Sequence, residues 1–314
     1  MVNPEKPPVR IIPRLDIKGP NVVKGIQFDG NRVLGTPETL AEIYYCEGAD
    51  ELIFYDTVAS LYRRNSLLEY VRKTAEKIFI PMTVAGGIRS IQDIREILRA
   101  GADKVAINTA AIENPGLLRE ASKVFGAQCL VASVEFYHKR DGRCEVWTDY
   151  GRQFTGVDAF DWARRAVDLG AGEILLTSIR RDGMGRGYDV EFTARVASSV
   201  PVPVIAGGGA GRQEDFLSVI REGNADAVSA ASVFHYYYST PPGDNRRWMS
   251  FGESRLRMGE NIDSGNIDFL KEGYGGVREI MVDRVSLPGL KAYLEENGVV
   301  MRPLASGAKV PSGV

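Results

Sequence analysis

PMTVAGGIRSIQDIREILRAGADKVAINT, residues 81–109, returns in altered spelling as PVIAGGGAGRQEDFLSVIREGNADAVSAAS, residues 203–232. Each copy reads as an apolar strand, a glycine turn, an amphipathic helix and a second apolar strand. Gly86-Gly87 maps onto Gly208-Gly209, a spacing of 122 residues. Gly48-Ala49-Asp50-Glu51-Leu52-Ile53 returns at that spacing as Gly170-Ala171-Gly172-Glu173-Ile174-Leu175. A third echo pairs RIIPRLDIK (10–18) with CLVASVEFY (129–137) and sets Asp16 against Glu135. A unit of about 120 residues therefore occurs twice, which is how duplicated architectures announce themselves. Because strands alternate with helices inside the unit, the two copies are expected to be half-barrels that close one parallel sheet. That fold is an α/β (βα)8 TIM barrel.

Working outward, eight short apolar runs bounded by turn residues read as buried parallel strands: 10–16, 51–56, 80–84, 104–107, 129–135, 173–177, 202–206 and 226–230. Amphipathic stretches at 37–47, 91–100, 158–169 and 212–222 supply helices between them, and a last helix is predicted at about 286–297. Two stretches break the rhythm. Residues 136–157 read as an extended, hairpin-like loop after the fifth strand. Residues 236–282 are polar, glycine-rich and aperiodic, and are predicted to be an inserted loop after the eighth strand. The whole chain, 1–314, is expected to form one barrel domain, with 305–314 a disordered tail.

Composition narrows the function classes. Apolar residues make up 44% and charged residues 25%, values of an ordinary soluble globular chain. A formal net charge of −2 gives no reason to expect nucleic acid or an anionic membrane as partner. No apolar run approaches the roughly 20 residues of a membrane span. MVNPEKPPVR at the N-terminus lacks the apolar core of a signal peptide. Cys46, Cys129 and Cys144 are odd in number and scattered, so a reducing cytoplasm is expected and metal-ligand spacing is absent. With His138 and His235 the only histidines, acid–base chemistry is expected to fall to carboxylates.

Two constellations carry that chemistry. The loops after the third and seventh strands, with the helix starts after the fourth and eighth, present free backbone N–H groups to an anion. Gly86, Gly87, Asn108 and Thr109 form one set; Gly208, Gly209, Ala231 and Ser232 form the other. A single Gly-Gly is as readily a tight βα turn, but two at matching places favour a bis-phosphorylated ligand spanning the barrel mouth. Asp16 ends the first strand and Glu135 the fifth, on opposite sides of that mouth, where two carboxylates can act as general acid and base. Lys24, Asp56 and Asp182 are second-rank candidates, and Asp182 serves equally well to stabilise its own turn.

RIIPRLDIKGPNVVKG, AGGIRSIQDI, GADKVAINTAA, GAGEILLTSIRRDGMGRGYD, GGAG and AASVFH together resemble the cyclase subunit family of imidazole glycerol phosphate synthase, over roughly residues 9–236 plus the last helix. The resemblance implies a (βα)8 barrel that pairs, through its N-terminal face, with a glutaminase subunit. It implies ammonia passing through the barrel to a bis-phosphorylated ribonucleotide, giving imidazole glycerol phosphate and an aminoimidazole carboxamide ribotide in histidine and purine metabolism. No metal or organic cofactor is implied. By position, the family's catalytic pair falls on Asp16 and Glu135. Its phosphate contacts fall on Gly86, Gly87, Asn108, Thr109, Gly208, Gly209 and Ser232, and its ammonia-gating floor ring on Arg10, Glu51, Lys104 and Glu173. The plainer reading of that ring is strand-start charges satisfying one another.

The sequence also departs from the family. Glu135 stands where aspartate is usual, Arg14 where cysteine is, Arg180 where aspartate is and Gly207 where serine is common. A carboxylate displaced by about 1 Å can cost on the order of 100-fold in rate. The departures and the 236–282 segment keep two alternatives open: a paralogue that channels ammonia for amino-sugar amidation in surface-polysaccharide synthesis, and a non-catalytic barrel that activates a glutaminase. The related isomerase of the same pathway fits less well, because VVKG and AASVFH are closer to the cyclase.

Overall fold

Barrel strands such as β4 (Leu52–Asp56), β5 (Met82–Ala85), β6 (Lys104–Ile107) and β12 (Ala227–Ala230) have only four or five residues and little or no polar surface. Such runs form strands because both faces are buried, one against the barrel interior and one against a helix. The computed structural model describes residues 7–59, 67–239 and 282–303, apart from the side chains of 29–32. The other four barrel strands are β1 (Arg10–Lys18), β7 (Leu130–His138), β10 (Glu173–Ser178) and β11 (Val204–Gly207). All eight pair in parallel in the order β1-β4-β5-β6-β7-β10-β11-β12, and β12 returns to β1. The predicted strands are all present, within two residues at their starts, and the (βα)8 barrel expected from the repeat is the fold observed.

Side-chain alternation then divides the core in two. Ile12, Ile53, Ala85, Ala106, Val131, Leu175, Ile205 and Ala227, one from each barrel strand, form an inner apolar cluster. The intervening residues face outward into a larger shell with the helices. The inner layer is an apolar core.

Described helices are α1 (Pro37–Cys46), α2 (Leu68–Ala75), α3 (Ile91–Arg99), α4 (Thr109–Glu113), α5 (Gly116–Phe125), α6 (Ala159–Asp168), α7 (Val190–Ala197), α8 (Gln213–Arg221), α9 (Ser232–Ser239) and α10 (Leu287–Glu296). Their starts follow capping chemistry. Ser90 accepts from the Asp93 amide, Asp158 from Phe160 and Asp161, Asp189 from Phe192, and Ser286 from Gly289; such caps are worth about 1 kcal/mol each. Helix α10 is fastened to the barrel floor by a buried ion pair, Lys291 Nζ to Asp50 Oδ1 at 2.8 Å, while Asp50 Oδ2 accepts from the Ile11 amide at 2.8 Å. In the second half Gly172 takes the place of Asp50, because a Cβ there would lie 2.2 Å from the Ala127 carbonyl oxygen.

The predicted hairpin after the fifth strand is real: β7 runs on to His138 and pairs antiparallel with β8 (Cys144–Thr148), which pairs with β9 (Gln153–Asp158). Its counterpart in the first half, β2 (Asn21–Ile26) with β3 (Asp29–Gly35), is not marked by any apolar alternation that singles it out in the sequence. Of the predicted 236–282 segment, residues 236–239 continue helix α9, because Tyr236 and Tyr238 are buried against the barrel. Residues 240–281 and the predicted tail 305–314 lie outside the described residues.

Candidate active site

Strand β1 alternates, so Arg10, Ile12, Arg14 and Asp16 project in succession from the floor of the barrel to its mouth. At the floor, Arg10, Glu51, Lys104 and Glu173 close into a four-membered ring. Arg10 bonds Glu51 at 2.7 Å and also bonds Glu173; Lys104 bonds Glu51 at 3.1 Å and Glu173 at 3.0 Å. The ring satisfies two acids with two bases, each shared, and spans sequence separations of up to 163 residues.

At the mouth, β1 and β7 are four strands apart in the ring of eight, so Asp16 and Glu135 face each other across it. Both are fully buried. Asp16 Oδ1 accepts from Arg14 Nε at 2.6 Å, and Oδ2 from Lys24 Nζ at 3.2 Å. Lys24 also donates to Asp182 Oδ2 at 2.6 Å, so these second-rank candidates join the site. Burial opposes the charge on Asp16, but Arg14 and Lys24 outweigh it and hold its pKa below the usual aspartate value. Glu135 has different neighbours: the Tyr55 hydroxyl donates to Oε1, and the Gly151 amide donates to Oε2 at 3.1 Å. Burial dominates there and drives its pKa up to about 7, against the Tyr55 hydroxyl, the more distant Arg14 and the Gly151 amide. The mouth therefore holds one carboxyl group whose pKa is held low and one that titrates near neutrality. Environments that push two carboxyl groups apart in this way are what acid–base pairs require.

Above the pair, the two hairpin turns meet. Phe28 and Tyr150, 122 positions apart, both occupy left-handed backbone conformations, with φ of 68° and 54°. Their rings stack at 4.4 Å between centroids and 17° between planes. Arg14 lies 5.3 Å from the Phe28 ring and 4.8 Å from the Tyr55 ring. Tyr55, Phe28 and Tyr150 join the site without a sequence motif that marks them. The 122-residue spacing was a usable signal for the last two, and the inward register of Ile53 for Tyr55.

The two predicted anion cradles flank the acids. Gly86, Gly87, Asn108 and Thr109 line a cavity of about 440 Å³ with Tyr55, Asp56, Arg89 and Tyr150. There the Asn108 amide nitrogen donates to the Trp147 carbonyl at 2.9 Å, and Thr109 Oγ1 accepts from the Asp149 amide at 3.1 Å. Both side chains thus also hold the second hairpin. Asp56 ends β4 and accepts from the Val58 amide at 3.0 Å. Gly208, Gly209, Ala231 and Ser232 line a cavity of only about 20 Å³, whose other walls include Arg14, Lys24, Asp182 and Gly183.

The departures find local reasons. Gly207 is packed so that a Cβ would meet the Leu176 carbonyl oxygen at 3.0 Å. Arg180 lies over the Tyr137 ring at 5.5 Å and donates to the His138 carbonyl at 3.4 Å, so it braces the second hairpin. Among the described residues no group of three or more His, Cys, Asp or Glu could hold a metal ion, and no helix is long and apolar enough to cross a membrane.

Comparison with known proteins bears on the family. The sequence profile of the family described as "Histidine biosynthesis protein" matches residues 10–240. The chain is 56% identical over 208 residues to the imidazole glycerol phosphate synthase subunit HisF of Legionella pneumophila, covering 66% of this chain and 98% of that protein. It is 50% identical over 227 residues to the HisF subunit of Alkaliphilus metalliredigens and 48% identical over 246 residues to that of Methanocaldococcus jannaschii. Each of these alignments covers 72% of this chain and 90% of the relative.

Proposed function

The chain belongs to the histidine biosynthesis protein family, and we propose that it is the ammonia-using cyclase subunit of imidazole glycerol phosphate synthase. Its substrate is a bis-phosphorylated ribonucleotide, with one terminal phosphate in each glycine cradle. Its products are imidazole glycerol phosphate and an aminoimidazole carboxamide ribotide. The observation that carries this reading is the buried pair Asp16 and Glu135, facing each other across the mouth between the two glycine cradles.

The chemistry divides between them. Ammonia that condenses with a substrate carbonyl carbon sheds protons as the carbonyl oxygen leaves as water, and Asp16, kept anionic by Arg14 and Lys24, relays those protons. Cleaving the carboxamide ribotide from the closing ring breaks a C–N bond, and the departing nitrogen takes the proton of Glu135. A carboxyl group with a pKa of about 7 can both donate and be recharged at neutral pH.

Ammonia enters at the floor, through the Arg10, Glu51, Lys104 and Glu173 ring, from a glutaminase subunit docked on the N-terminal face. Two features of that face support docking. Phe79, just ahead of β5, is 81% exposed, and Val300, whose carbonyl accepts from the Val9 amide beside the start of β1, is 57% exposed. Large exposed apolar side chains around a charged centre suit a protein partner.

The direct test supplies purified protein with the bis-phosphorylated ribonucleotide and excess ammonium salt. Imidazole glycerol phosphate is expected without a partner, and from glutamine only after a glutaminase subunit is added. No product from ammonium overturns the cyclase reading, and glutamine hydrolysis stimulated without cyclised product points to a conduit or scaffold.

A further inference from the structure

Arg14 is the least explained charged group in the barrel. Its side chain is buried on the inward face of β1, one alternation below Asp16. Nε is committed to Asp16 at 2.6 Å, and the guanidinium carbon lies over both the Phe28 and the Tyr55 rings, 5.3 and 4.8 Å from their centroids. Nη2 is buried with no hydrogen-bond partner among the described residues. An unmade bond on a buried charged group costs more than on a neutral one, so an idle donor here calls for an acceptor. Arg14 also forms part of the wall of the second cradle, beside Gly208, Gly209 and Ser232.

We propose that Arg14 binds the anionic group seated in the second glycine cradle and, through the same guanidinium, positions Asp16. The planar fork allows this division: Nε is aligned with one acceptor while Nη2 donates to another. A phosphoryl oxygen is the class of acceptor that fits, since the cradle offers it backbone N–H groups from the Gly208-Gly209 turn and the start of the eight-residue helix α9. Binding in that cradle and the orientation of the base then share one side chain, so a ligand lacking this phosphate also loses alignment at Asp16. The identity of the phosphorylated ligand rests on the cyclase reading; the site itself does not, and inorganic phosphate is a sufficient probe.

Groups facing Arg14 come from every neighbouring element: Asp16 on β1, Lys24 on β2, Tyr55 on β4, Glu135 on β7, Tyr150 in the second hairpin turn, Asp182 after β10 and His235 on α9. Of the cations, Arg14 acts most strongly on Asp16, ahead of Lys24.

Phosphate is titrated into the full-length, isotope-labelled protein, and the amides of Gly208, Gly209, Gly86 and Gly87 are followed by NMR. For Arg14→Gln and Arg14→Lys, the phosphate midpoint at Gly208 and Gly209 is expected to rise about 10- to 100-fold, the worth of a charge-assisted hydrogen bond, with Gly86 and Gly87 unchanged. The carboxyl resonance of Asp16 is expected to titrate higher in Arg14→Gln and to stay low in Arg14→Lys, a split that loss of packing alone does not produce. Equal midpoints at both cradles, or an Asp16 titration indifferent to Arg14→Gln, overturn the proposal. The unaltered protein gives a check independent of folding: phosphate is expected to shift the Arg14 guanidinium resonances together with Gly208 and Gly209, and silence at Arg14 while the glycines respond refutes it. Failure of cyclase turnover leaves these outcomes intact, so the two readings fail separately.

Discussion

The two halves of the barrel put a carboxyl group at the mouth on their first strand and a glycine turn after their third, and then treat them oppositely. In the first half Asp16 is pinned between Arg14 and Lys24 and is ionised. In the second, Ser133 stands two residues before Glu135 where Arg14 stands two before Asp16, and among the described residues Glu135 has a hydroxyl and an amide within bonding distance. Burial is the same, so the partners alone set the two pKa values apart. The cradles diverge in the other direction. The first opens into about 440 Å³, whereas the second, walled by Arg14 and the Lys24–Asp182 bridge, is narrower at about 20 Å³. Duplication supplied two equivalent backbones; a few cations on one side leave the rim with one carboxyl group held low, one pushed up and unequal pockets.

The largest expected effect tests that asymmetry at its centre. Asp16→Asn removes the anion shared by two buried cations, and ammonium-dependent turnover is expected to fall by about 10²- to 10⁴-fold. Asp56→Asn, at the first cradle, is expected to fall far less. Equal losses in steady-state assays break the claim that the chemistry is concentrated on Asp16.

Next comes Glu135. Its folded pKa of about 7 lies above the ordinary glutamate value of 4.5, so the folded protein binds the extra proton between those values and loses stability as pH rises through that window. Glu135→Gln is expected to abolish that slope, worth on the order of 3 kcal/mol, in denaturant titrations from pH 4 to 8. In the unaltered enzyme, turnover that needs protonated Glu135 is expected to decline as pH rises through about 7. Asp16, shifted the opposite way, contributes stability that is lost only as pH falls below the ordinary aspartate range.

The smallest effect sharpens the comparison where the halves remain alike. Gly86 and Gly208 have φ of 95° and 79°, and an added Cβ would lie 2.5 Å from the Asp56 carbonyl oxygen and 2.8 Å from that of Ser178. Alanine at either position is expected to cost about 1–3 kcal/mol, with Gly86→Ala the larger because its contact is tighter. A silent substitution at one of the pair, measured by chemical denaturation, shows that the two turns are not the same device.

Most of the frame was legible in the chain. Strand runs such as Leu52–Asp56 and Met82–Ala85 are apolar throughout because both their faces are covered, and the Gly86 and Gly208 turns carry their own signal. The second hairpin was visible, but the first was not: Asn21–Ile26 is short and mixed, and part of what holds its turn over the mouth is Phe28 stacked on Tyr150 from the other half. Arg14 showed only as a departure from the family pattern, since nothing near it in sequence says that Tyr55 and Phe28 flank it. The floor ring was legible by resemblance, and its closure by four ion pairs is a property of the assembled barrel.

By itself the sequence determined the duplication, the alternation of strands and helices, and the strand ends on which Asp16 and Glu135 ride. Those follow from periodicity and turn chemistry between near neighbours. Only the closed barrel decided which carboxyl keeps its proton, how much room each cradle offers, and whether four floor charges cancel. Ionisation and cavity size depend on the dielectric and the partners around a group, and those partners come from residues as far apart as Lys24 and Asp182, which no local pattern brings together.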